Sequence, residues 1–147
     1  MIKNERQYQV TKAQLGEFEA ALIAVGSEPM PAGVHPQLMA AQKEAISSQI
    51  EQLRQEVEDY EALKSGKITS FESQGLKELP VLLVKARIAR SFTHKQLADR
   101  LGVKEQQVQR WEFNDYAGTS LENLTAVAEA LDVVLTQRLS VPASVSN

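Results

Sequence analysis

The sequence predicts an all-α protein, with an N-terminal helical hairpin or coiled-coil segment followed by a compact domain of short helices. Two observations carry this. Apolar residues recur mostly at spacings of three and four along the 147 residues, with almost no β-branched alternation. Proline, serine and threonine stand where helices should start, and glycine where they should stop.

Thr11 reads as the N-cap of a first helix, whose Leu15, Phe18, Leu22 and Val25 share one face. Gly26 to Pro36 contains two glycines and three prolines and predicts a loop. Pro36 is placed to open a longer second helix running to about Lys64. Its seam is Met39, Ile46, Ile50, Leu53, Val57 and Tyr60, and from Ile46 the spacing alternates four, three, four, three. A seam this narrow suits a helical hairpin or short coiled coil and predicts packing against a second copy. Packing onto the C-terminal domain is the alternative. Ser65 to Ser70 reads as a linker.

In the C-terminal part, Pro80 takes a first helical position, and Thr93 caps a second short helix. Gly102 breaks the chain after Leu101, and a third helix follows from about Lys104 to Glu112. Phe113 to Thr119 is a loop, and Ser120 caps a helix carrying Leu121, Leu124, Val127, Ala128 and Leu131. Val133 to Leu139 alternates apolar and polar residues, the pattern of a short strand. The resulting division is 1–66 hairpin, for dimerisation or partner binding, 67–78 linker, 79–140 C-terminal domain and 141–147 disordered tail.

Composition narrows the function. Hydrophobic residues make up 43% and charged residues 24%, as in a soluble globular protein. No apolar run approaches the roughly 18 residues of a membrane span. The N-terminus lacks an apolar signal-peptide core, and there is no cysteine. These features predict a cytoplasmic protein with no disulfide and no thiolate metal site. The two histidines, His35 and His94, have no carboxylate at a metal-ligand spacing, and no phosphate-binding glycine loop occurs. The expectation is a non-enzyme without cofactor or metal, with His35 a turn residue before Pro36.

Net charge is −3, but unevenly spread. Residues 1–66 carry six Lys/Arg and ten Asp/Glu, whereas Lys85 to Arg110 contains seven basic residues against Asp99 and Glu105. That local excess is what a phosphate backbone requires.

The decisive stretch is FTHKQLADRLGVKEQQVQRWE, residues 92–112. Two helices that cross closely need a small residue beneath the crossing, a glycine at the turn and an apolar lock. Ala98 and Gly102 supply the first two, and Leu97, Leu101, Val103, Val108 and Trp111 the third. Burying those leaves Lys104, Glu105, Gln106, Gln107, Gln109 and Arg110 outward. Amide and guanidinium groups in that position can pair with adenine and guanine edges. The segment reads as a helix-turn-helix.

FTHKQLADRLGV, QQVQRWE and the later SLENLTAVAEALDV also resemble the Cro-like, or Xre, family of helix-turn-helix regulators, over residues 80–135. That family includes phage repressors and many bacterial antitoxins. The N-terminal IKNERQYQVTKAQLGEFEAAL is similar to the lead segment of a subset found in toxin–antitoxin-like operons. The resemblance implies a compact five-helix domain, usually dimeric, bound to double-stranded DNA. It implies that Gln106 and Arg110 contact base edges, with Lys104 and Gln107 beside them. His94 stands where the family usually has a glutamine that touches phosphate and braces the recognition helix. Glu105 is another departure, since an acid facing DNA repels phosphate unless it accepts from a cytosine amine. Arg87 and Glu112 match a structural ion pair that leaves Arg87 able to reach a phosphate. Asn114, Tyr116 and Thr119 match the backbone-touching loop, and Lys95 and Gln109 complete the DNA-binding set. The rival reading is an antitoxin: the acidic hairpin binds a partner toxin, and the DNA-binding domain regulates its own operon.

Overall fold

The structure, a computed structural model, describes residues 1–27, 29 and 31–144. Helix α1 spans Glu5–Ser27 and α2 spans Pro36–Lys64. A one-turn 3-10 helix, Leu76–Glu78, leads into α3 (Leu79–Ala89), α4 (His94–Leu101), α5 (Glu105–Phe113) and α6 (Leu121–Ala130). No strand occurs among the described residues. No described helix is long and apolar enough to cross a membrane.

Helix α1 begins at Glu5, earlier than the Thr11 start that the sequence suggests. The Asn4 side chain accepts from Gln7 N at 2.8 Å, which is the bond of an N-cap. Thr11 is an interior residue instead, its hydroxyl turned back onto the Gln7 carbonyl at 2.8 Å. Helix α2 begins at Pro36 as its sequence dictates, and His35 caps it by accepting from Gln37 N through Nδ1 at 3.1 Å. The two helices lie along each other as a hairpin.

The hairpin's base is built into the C-terminal core. Ile2, Val57, Tyr60 and Leu63 share one buried cluster with Leu83, Val84, Ile88, Leu97, Val108, Val127 and Leu131. Tyr8 stacks on Tyr60 with ring centres 5.0 Å apart. The lower seam of α2 is therefore covered by α1 and by α3, the alternative to a second copy. Ile68 and Phe71, in the stretch read as a linker, pack against the same cluster.

Left-handed residues end all four C-terminal helices, α5 through Tyr116 N on Trp111 O across Asp115 (φ 52°). Phe92 N reaches Arg87 O across Ser91 (φ 58°), and Val103 N reaches Ala98 O across Gly102 (φ 69°). Val133 N reaches Ala128 O across Asp132 (φ 54°). These are Schellman closures, which satisfy the last carbonyls of each helix. The strand expected over Val133 to Leu139 does not form. Among the described residues no second strand lies beside it to take its backbone bonds, and its alternation instead turns Val133 onto the core and leaves Val134 in solvent. Of the tail, 141–144 has no regular secondary structure, and 145–147 lies outside the described residues.

Candidate nucleic-acid interface

Helices α4 and α5 form the site. Thr93 caps α4 by accepting from Gln96 N, and the Gln96 side chain returns a bond to the Thr93 amide, a closed capping box. Gly102 turns the chain in the left-handed region, where a side chain would be strained. Ala98, Leu97 and Val108 are buried between the two helices. Leu101, Val103 and Trp111 pack around them. The inward half of α5 is thereby fixed. Lys104, Glu105, Gln106, Gln109, Arg110 and Phe113 remain exposed on the other half, with Gln107 half-buried at its margin. Glu105, the acid on this face, accepts from Gln109 Nε2 at 3.3 Å.

Family comparison agrees with this geometry: residues 83–136 match the family model described as helix-turn-helix. This part of the chain is a Cro-like helix-turn-helix domain. That family is a DNA-binding regulatory one, not a catalytic one. No curated protein and no solved structure matches the chain.

Behind the exposed face of α5 in the Cro-like domain lies a buried ionic cluster. Arg87, 3% exposed, donates to both carboxylate oxygens of Glu112, from Nε at 2.5 Å and Nη2 at 2.8 Å. It also donates to Phe92 O at 2.7 Å and to the Lys3 carbonyl. His94 Nε2 meets Glu112 Oε2 at 2.7 Å, with the His94 side chain 10% exposed. Burial alone would push the Glu112 carboxyl up, but hydrogen bonds and charge from His94 and Arg87 outweigh it and hold the group below its ordinary range. The Lys3 ammonium closes the cluster from outside, donating to Glu112 O at 2.5 Å and Asp115 Oδ1 at 2.7 Å.

Three sequence-based placements change as a result. Arg87 is enclosed and its guanidinium is engaged on three sides, so it does not reach a phosphate. His94 is turned inward and braces α5 through Glu112, leaving little of its ring for DNA. Tyr116 is not a surface loop residue: it is 2% exposed, stacked on Trp111 with ring centres 6.1 Å apart. Burial pushes the Tyr116 hydroxyl well above its ordinary pKa, with the Glu112 charge adding to the effect. The hydroxyl has no hydrogen-bond partner among the described residues.

The other members of the set stay at the surface or its margin. Lys95 is exposed on the first turn of α4 and pairs with Asp99 at 3.4 Å. Asn114 is exposed beside the end of α5, where its amide nitrogen can donate to Arg110 O and Trp111 O once the amide is turned to satisfy both its ends. Thr119 is half-buried where the loop meets α6. The sequence charge count overstates the free positive charge. Arg90 and Arg100 both turn to Asp132, at 3.4 and 3.0 Å, an acid that lies outside the basic stretch Lys85 to Arg110. Lys3 and Phe113 escape the sequence reading. Only the fold brings Lys3 to α5, whereas Phe113 lies seven residues after Gln106, a helical spacing that could have placed it on the same face.

Proposed function

We propose that the protein is a transcriptional repressor that binds a palindromic operator as a homodimer and reads the major groove with α5. One observation carries this reading: α5 buries one side against α4 and presents Lys104, Gln106, Gln109 and Arg110 on the other, with Glu105 as the one acid among them. Gln106 and Arg110, one turn apart, are the base-reading pair, with Gln109 beside them. Arg suits the two acceptors of guanine, and Gln the acceptor and donor of adenine. Lys104, Lys95, Gln107, Asn114 and Thr119 flank them for the phosphates. Arg87, His94 and Tyr116 hold the reader in place.

A single reading helix touches few base pairs, so specific affinity calls for two, about 34–36 Å apart on one face of the duplex. Selection of bound sequences from a random DNA pool tests the proposal. The expected outcome is an inverted repeat with half-site centres about one helical turn apart, and a dimer by light scattering. Recovery of no common sequence would refute it.

The far end of the hairpin favours a second activity. Ile23 and Leu38 are 71% and 62% exposed there, on the acidic half of the chain. This is where a partner toxin would dock if the protein is also an antitoxin. Deleting residues 1–66 would not isolate this activity, because Ile2, Val57, Tyr60 and Leu63 belong to the shared core. Ile23→Glu with Leu38→Glu removes the apolar surface alone. The antitoxin reading requires that pair to abolish protection against the product of the neighbouring gene while DNA binding persists.

A further inference from the structure

The outward face of α5 is polar except at one position. Phe113, the last residue of the helix, is 87% exposed. Seven residues separate it from Gln106, nearly two full turns, so the two stand on one line of the helix surface. Gln106, Gln109, Arg110 and Phe113 together line a single shallow hollow. The phenyl ring thus continues the row of side chains assigned to base reading.

We propose that Phe113 contacts the 5-methyl group of a thymine in the DNA that α5 reads, next to the base pair addressed by Arg110. The inference rests on the major-groove reading above. Thymine presents the one apolar group of the unmodified major groove, and an aromatic side chain is among its recognised partners. The three positions from Arg110 to Phe113 span only about 4.5 Å of the helix axis, so a groove contact made by Arg110 brings the ring within reach of the neighbouring base pair. A second copy of the chain is the weaker occupant. A two-fold contact centred on this ring would bring two Arg110 side chains together around very little apolar surface.

The test uses the full chain and the DNA sequence selected from the random pool. Replacing thymine by uracil, one position at a time, removes the methyl group and leaves the pairing edge intact. At one position in each half-site, uracil should weaken wild-type binding by about fourfold, the effect of one buried methyl-sized group. Phe113→Ala should bind the thymine and uracil sites equally, and Phe113→Leu should retain part of the preference. Indifference of the wild type to uracil at every position would overturn the inference and leave the regulator reading standing. So would a Phe113→Ala variant that keeps the thymine preference but loses dimerisation, since the ring would then serve a second copy. A wild type that selects no DNA at all would remove both.

Discussion

The Lys3 ammonium donates to the main-chain carbonyl of Glu112 at 2.5 Å, although 109 positions separate the two residues. The bond ties the chain's N-terminal residues to the last turn of the helix assigned to DNA reading. A cation there also complements the partial negative charge at a helix C-terminus. Arg87 binds the carbonyl of Lys3 in return, so the hairpin and the reading helix share one network. Lys3→Met should lower stability by about 1 kcal/mol. It should also speed amide exchange at Asp115 and Tyr116, whose amides bond to Glu112 O and Trp111 O. Exchange rates unchanged from the wild type would show that the tie does not hold the helix end.

Glu112→Gln leaves the Arg87 charge buried without a full counter-ion. A buried pair broken on one side costs about 3–5 kcal/mol, whereas apolar replacement of both partners is often tolerated. Denaturant titration should therefore rank Glu112→Gln well below the double variant Arg87→Met with Glu112→Leu. The opposite order would mean that the pair, not the avoidance of a lone charge, stabilises the domain.

The same carboxyl sets an acid limit. Its pKa is lowered in the folded state from an ordinary 4.5. The unfolded chain therefore takes up the proton first as pH falls. The contribution of Glu112 is fully present above about pH 4.5 and is lost as pH drops through the folded value. Unfolding midpoints measured from pH 6 down to about pH 3 should fall in that acidic window, and Glu112→Gln should flatten the decline.

Ser91 holds a left-handed conformation, φ 58°, at the end of α3. A side chain there is disfavoured where glycine is not, though glycine gives up more freedom on folding. The net expectation for Ser91→Gly is a gain of about 0.5–1 kcal/mol, read as a higher melting temperature. A loss would indicate that the serine side chain has a partner in solution.

The local grammar of the fold was legible. Pro36, Thr93, Gly102 and Ser120 announce their boundaries because each satisfies, or relieves, backbone groups within a few residues. The exposed face of α5 was legible for the same reason, since helical spacing alone separates Val108 from Gln106 and Arg110. Long-range events were not. Burial of the Tyr116 ring against Trp111 depends on a loop with two consecutive left-handed residues, Asp115 and Tyr116, neither of them glycine. Enclosure of Arg87 depends on Lys3, which arrives from the other end of the chain. The start of α1 was misplaced because Asn4 caps as well as a threonine does, and Thr11 in mid-helix carries the same hydroxyl.

The central claim is that the exposed row of α5 enters a DNA groove, and base discrimination by Arg110→Ala tests it most directly. Binding of wild type and variant would be titrated on the selected site and on each of its single base-pair substitutions, with Lys104→Ala in parallel across salt concentrations. Arg110→Ala should lose about 1–3 kcal/mol of discrimination at one base pair in each half-site while its melting temperature is unchanged. Lys104→Ala should weaken binding to every sequence alike and reduce the salt slope by about 1. Discrimination profiles that superimpose for wild type and Arg110→Ala would contradict the account.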